Sequence, residues 1–315
     1  MIGGTPAHSY AVLDAYSYML RTVNEGSKTS LKVDDNGRFK YFFVFYGSWI
    51  RGFVHMRKVL AVDRTFLRGP YKGVLLSAVA QDTENYIFPI AFCVVDKECD
   101  ASYEYFFEQL LDIVPNTTEL CIISDRHPSI GKMVSKIYSK AHYGCCTRHL
   151  TENAIKEFHC GDFLGHFYHT TKTYCKDVFN DHFEETRYIN AEVADYLENV
   201  GFRKWSIACF PGNRSPTIIV VGGTTGTVVP ATVVVVGQLK RIVPATAIVV
   251  GGLRSYDMLT SNIAESINSM FNEEREFPIT ALFNTISRRW CKPTTSVVVI
   301  QLKQLLGQLL KLSNN

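Results

Sequence analysis

From Val59 to Asp96 the chain carries three apolar blocks, VLAVDRTF, KGVLLSAVAQD and YIFPIAFCVVD, the last two separated by the polar stretch Asp82–Asn85. Blocks of this length, rich in β-branched and aromatic residues and joined by short connections, predict an antiparallel three-stranded meander. Tyr103, Phe106, Phe107, Leu110, Leu111 and Val114 then recur at spacings of three and four, which places them on one face of a helix. ELCIISD predicts a short strand ending in an acid. Pro128 suits the first turn of the next helix, which runs through Ile130, Val134 and Ile137. AHYGCC reads as a further short strand and Thr147–Phe158 as a third helix. The order β-β-β-α-β-α-β-α predicts an α/β fold, a mixed sheet flanked by helices with its functional residues at strand ends.

The flanks read differently. Residues 1–50 form a lead-in with a helix-like stretch at Ala11–Val23, a Gly/Ser/Lys turn region and an aromatic strand from Phe39 to Tyr46. Between Gly161 and Phe210 the chain is rich in aromatic and charged residues and shows no strand alternation, which predicts a helical insertion. In 215–254, Pro216, Pro230 and Pro244 recur every 14 residues, each opening a Thr- and Val-rich run that ends in Gly. No charged residue occurs from Ser215 to Leu239, but Gly, Pro and β-branched residues argue against a membrane helix, and Lys240 and Arg241 interrupt the run. Exposed Val runs of this kind form loose hairpins prone to aggregation. Helical periodicity resumes at Ser261–Trp290, and Leu302, Leu305, Leu306, Leu309 and Leu310 predict one more amphipathic helix.

Composition narrows the class. The 315 residues are 46% apolar and 20% charged with a formal charge of +3, which excludes collagen-like, wholly disordered and disulfide-scaffold proteins. Nine cysteines without repeating spacing point to a reducing compartment, and the N-terminus does not read as a secretory signal. A charge of +3 does not by itself announce a nucleic-acid binder. Around Asp63, however, Arg51, Arg57, Lys58, Arg64, Arg68 and Lys72 form a basic run suited to phosphate backbones or to a solvated face.

Asp63 is expected to end the first apolar strand and Asp125 the fourth. If those strands are parallel neighbours, both carboxylates sit at one rim, where they can share hard divalent cations that leave positions open for a phosphate. Glu265, in TSNIAESINSMF, lies on a predicted helix whose apolar face is Ile263, Ile267 and Met270, and can supply a third acid. The structural alternatives are a turn role for Asp63, a helix-dipole role for Asp125 and a capping-box pair of Glu265 with Asn262.

The strings MRKVLAVDRTFLRGPYKGVLL, AVAQDTENYIFPIAFCVVDKECDASYEYFFEQL, LCIISDRHPSIGKMV, AHYGCCTRHL and TSNIAESINSM occur in this order. With them the chain resembles the transposase domain of Mutator-like elements (MULE transposases), a plant-rich family related to the far-red-impaired-response proteins. The resemblance implies an RNase H-like mixed sheet flanked by helices, with a helical insertion before the last catalytic helix. It implies a DDE catalytic triad carried by Asp63, Asp125 and Glu265, holding two Mg²⁺ (or Mn²⁺) ions, and a C-x2-H element at Cys146 and His149. CTRH supplies only two ligands at a plausible spacing, even beside Cys145, His159 and Cys160, so structural zinc is not expected. DNA, both transposon ends and target, is the implied partner, contacted by Arg64, Arg68, Lys72, Arg126 and His127. His127 has a helix cap as its alternative role. A homo-oligomer is compatible, no membrane association is expected, and the implied location is the nucleus.

The corresponding organisation is a lead-in at 1–50, a catalytic core at 51–160, a helical insertion at 161–214, the repeat at 215–254 outside the fold, a C-terminal catalytic part at 255–292 and a divergent tail at 293–315. Three departures stand out. Arg64 replaces the Gly of the family's D-G-T string, and is expected to crowd a turn beside the first acid. The family's N-terminal DNA-binding region and C-terminal zinc knuckle are not recognisable, and the repeat interrupts the segment before Glu265. The expectation is a truncated or degenerate copy of a DDE transposase or nuclease. The alternative is a domesticated, non-catalytic DNA-associated regulator or interaction module.

Overall fold

A computed structural model of the chain describes residues 5–53, 56–70, 72–82, 86–159, 161–211 and 269–290. Glu265, Cys160, the repeat at 215–254 and the tail from 293 lie outside the described residues. The chain divides into two compact units, Met1–Tyr143 with Asn262–Asn315, and Gly144–Ser261.

The first unit is built on a seven-stranded mixed sheet in the order β1-β2-β5-β4-β3-β6-β7. The strands are β1 (Lys28–Val33), β2 (Phe39–Phe45), β3 (Val59–Phe66), β4 (Val74–Gln81), β5 (Ile87–Val95), β6 (Cys121–Ser124) and β7 (His142–Cys145). The expected meander is present: β3 pairs antiparallel with β4, and β4 with β5. β6 then lies parallel to β3 on its other side, after the helical crossover α4 (Asp100–Leu111). The architecture, a mixed sheet flanked by helices, is compatible with an RNase H-like fold.

Period-two alternation distributes the aromatic residues of β2 between two helical layers. Tyr41 and Phe43 meet Tyr105 and Phe106 of α4. Phe42, on the opposite face, meets Tyr16 of α2 (Leu13–Val23) and Phe283 of α10 (Ile279–Trp290). With both faces covered, every residue from Tyr41 to Phe45 is buried. Cross-sheet hydrogen bonds seat α10: Tyr46 donates to the Phe283 carbonyl at 3.1 Å, and Tyr16 donates to Asn284 Oδ1 at 3.1 Å.

Several local expectations needed correction. The turn region before Phe39 contains β1, whose half-exposed polar sequence has little apolar alternation and becomes a strand by pairing with the edge of β2. A short helix α3 (Gly47–Phe53) follows β2 directly. Among the described residues, the helix expected to run on to Trp290 is interrupted before α10. Pro278 disfavours helical backbone at Phe277, which is extended (φ −72°, ψ 149°).

The second unit contains the helices predicted for 147–210: α6 (Thr147–Phe158), α7 (Leu164–Lys172), α8 (Lys176–Ile189) and α9 (Ala191–Val200). Its core is aromatic, with Phe163, Phe167, Phe179, Phe183 and Trp205 all buried. The Trp205 indole N–H donates to the Leu197 carbonyl at 3.0 Å, so the largest core side chain leaves no polar atom unsatisfied. Arg187 bridges α8 to α9 through Asp195 and Glu198, at 2.7 and 2.6 Å. Among the described residues, no helix is long and apolar enough to cross a membrane.

Candidate active site

The parallel register of β3 and β6 pairs Val59 with Cys121, Leu60 with Ile122, Ala61 with Ile123 and Val62 with Ser124. Asp63 and Asp125 are the next residues at that end, Asp63 still within β3 and Asp125 just past β6. Two acids separated by more than sixty residues of chain are thus brought to one rim. Asp63 does not end its strand: it lies inside β3 in register with Ser77, whose hydroxyl donates to the Asp63 carbonyl at 3.3 Å. Asp63 is buried, whereas Asp125, the first residue after β6, is half-buried.

Arg64 is also a strand residue, paired with Leu76, so no turn is crowded at this position. Alternation sends its side chain to the face opposite Asp63. There its Nε lies 2.6 Å from Glu98 Oε1 and 3.7 Å from Asp125 Oδ2. Its guanidinium also lies over the Phe66 ring at 5.0 Å, two residues along the same face.

Glu98 is the residue that sequence reasoning missed. It follows β5, and its Oε1 accepts from the Tyr103 hydroxyl at 2.7 Å and lies 3.2 Å from His127 Nε2. The only available signal was topological, since β3, β5 and β6 all run toward the same edge. Burial, and then the Glu98 carboxylate, hold the Tyr103 phenol well above its ordinary pKa, so it remains a donor. His127 takes the capping role considered for it: it is the N-cap of α5 (Pro128–Ile137), its Nδ1 accepting from the Ser129 N–H at 3.3 Å. With Nδ1 accepting, Nε2 carries the proton that faces Glu98. The His127 backbone N–H donates to Asp125 Oδ1 at 3.2 Å, which fixes that carboxylate at the start of the helix.

The basic run divides in space. Arg51, Arg57 and Lys58 precede β3, whereas Arg64 lies within it and Arg68 and Lys72 follow it. The three that precede are therefore separated from the two that follow by an eight-residue strand about 26 Å long. Arg68, Lys72 and Arg126 are exposed on the connections that leave the rim of Asp63 and Asp125, while Arg64 and His127 are drawn toward Glu98. Cys146 is the N-cap of α6, with His149 three residues on, in the second unit. Among the described residues, neither belongs to a group of three close metal-ligating side chains.

Asp63 and Asp125 are hard oxygen donors of the type Mg²⁺ or Mn²⁺ takes, while the Arg64 contact draws the Asp125 carboxylate to the face of β3 opposite the Asp63 side chain. Arg64 adds a fixed positive charge beside one of the two carboxylates. An α/β domain with paired acids at the rim where its parallel strands end defines a class of site-at-strand-end proteins. Within that class, residues 59–153 match the family model of the MULE transposase domain, from the first residue of β3 through Asp63, Asp125, Cys146 and His149. No curated protein matches the chain.

Proposed function

We propose that this chain is a MULE-type DDE transposase domain, cutting DNA strands and joining a 3′-hydroxyl to a target phosphodiester. One observation supports the reading: the parallel β3/β6 register ends at Val62 and Ser124, so Asp63 and Asp125 come next at the same end of neighbouring strands, inside the segment that matches the transposase domain. Asp63 and Asp125 would hold the divalent ions, with Glu265 as the third acid by family resemblance. Bound divalent ions supply activation of the attacking oxygen and stabilisation of the leaving one. The chain's own contribution is positional. The His127 N–H and the turn into α5 hold the Asp125 carboxylate at the rim, and Ser77 ties down the backbone beside Asp63. Arg68, Lys72 and Arg126 would neutralise phosphates of a DNA strand laid along that edge, and a nuclear location would go with that substrate.

The test is nicking of element-end DNA by the purified chain in Mg²⁺ or Mn²⁺, compared with Asp125→Asn. The reading requires metal-dependent nicking that the variant loses; equal nicking by both overturns the assignment.

A second reading, a non-catalytic DNA-associated regulator, is favoured by the Arg64–Asp125 contact, which places a protein cation where a metal would be needed. Salt-dependent DNA binding that survives Asp125→Asn, with no strand cleavage by either form, would support it.

A further inference from the structure

The helical unit holds a cluster outside the transposase reading. His166 lies on α7, and His182 and Glu185 lie on α8. Their ligand atoms all fall within 4.8 Å of one another. Glu185 Oε2 is shared by the two imidazoles, 2.7 Å from His166 Nδ1 and 3.2 Å from His182 Nδ1. The helices carry two histidine motifs, H-F-Y-H at 166–169 and H-F-E-E at 182–185. Residues three apart share a helix face, so each motif presents two side chains together. His169, the second member of the α7 pair, stacks on His182 with ring centroids 5.7 Å apart.

The core beneath fixes this alignment. Phe167 and Phe183, each next to a cluster histidine, are buried against Trp205 and set the rotation of both helices. The cluster side chains are left at the solvent side of the α7–α8 seam, 31 to 53% exposed, where an ion can enter.

We propose that His166, His182 and Glu185 form a Zn²⁺-binding site that clamps α7 to α8. Zinc ligands at about 2.0–2.1 Å in tetrahedral geometry lie roughly 3.3 Å from one another. The two observed Nδ1–Oε2 separations need at most about 0.6 Å of adjustment to reach that spacing. Two imidazoles and one carboxylate select a borderline transition ion over Mg²⁺, which prefers an all-oxygen shell. A neutral imidazole moves its proton from Nδ1 to Nε2 by exchange with solvent, which frees the Nδ1 lone pair for the ion, and Glu185 turns from hydrogen-bond acceptor to ligand. The fourth position is left to water or, after rotation of its ring, to His169. This site is chemically distinct from the carboxylate rim of the other unit and does not rest on the transposase reading.

The test uses the whole purified chain titrated with Zn²⁺ against a chromophoric chelator, and with Co²⁺ as a spectroscopic stand-in. The expected result is one Zn²⁺ per chain, unaffected by millimolar Mg²⁺ and by Asp125→Asn, with affinity falling at least tenfold in His182→Ala and in Glu185→Gln. Co²⁺ should give the intense visible bands of tetrahedral nitrogen and oxygen ligation. All three ligands are partly exposed, and far-UV circular dichroism would establish that the variants fold. Absence of tight Zn²⁺ binding to the parent chain overturns the proposal. So does unchanged affinity in folded His182→Ala, or a cobalt–thiolate charge-transfer band that survives it, because the ligands would then be cysteines.

Discussion

Arg64 Nε lies 3.7 Å from Asp125 Oδ2, between the middle strand of the sheet's mixed half and the end of its parallel neighbour. Glu98, at 2.6 Å, is the closer partner and holds the guanidinium in this position. Substituting Arg64 by glycine removes a cation that competes for the Asp125 carboxylate. Unit charges about 4 Å apart interact by about 4 kcal/mol at an effective dielectric constant of 20, and partial exposure reduces the net effect to about 1 kcal/mol. Arg64→Gly is therefore expected to tighten Mn²⁺ binding about fivefold to tenfold and to raise any nicking activity at limiting metal. Isothermal titration calorimetry checks the first expectation; an affinity equal to that of the parent would show that Arg64 does not compete.

Acid should loosen the contact between α4 and α5. Lys132 and, after it, Ser129 hydrogen-bond to Asp100 and hold its carboxyl below the ordinary aspartate value; Ser129 Oγ is 2.5 Å away. A depressed folded-state pKa means that the contribution is complete above the unfolded value, about 3.9, and is lost as pH falls through the lower folded value. Urea midpoints measured from pH 6 down to pH 3 should decline less steeply for Asp100→Asn than for the parent chain. Parallel declines would exclude the contribution.

Gly47 opens α3 at a point with no room for a side chain. A Cβ there would lie 2.1 Å from the Glu25 carbonyl oxygen and 2.7 Å from the carbonyl carbon of Gly26, both backbone atoms that cannot rotate away. Gly47→Ala should cost about 2 kcal/mol or more, because the backbone of one segment must shift. Gly165→Ala is the control: apart from its chain neighbours and its own helix backbone, nothing lies within 4 Å of its Cβ position, and alanine is the better helix former. Thermal denaturation should show a lower midpoint for the first variant and an unchanged or higher one for the second.

The order of elements from Val59 to Phe158 was legible because each is specified by near neighbours. A run of apolar residues marks β3, three-and-four spacing marks α4, and Pro128 marks the start of α5. β1 was not legible, since KTSLKV carries no half-buried alternation and takes its conformation from the strand beside it. The strand-end position of Asp63 was misread for a related reason. Arg64, Thr65 and Phe66 continue the strand because β4 pairs with them, although the apolar run stops at Val62.

The sequence by itself determined the element types, the candidacy of Asp63 and Asp125 and the likeness to a transposase domain, all properties of short contiguous segments. Only the tertiary structure decided that β6 lies parallel to β3 and brings the two acids to one end of neighbouring strands, that Arg64 turns to Glu98 and Asp125, and that His166 meets His182 and Glu185. These relations join residues far apart in the chain. They arise from the burial of whole sheet and helix faces, a cooperative property that local periodicity does not record.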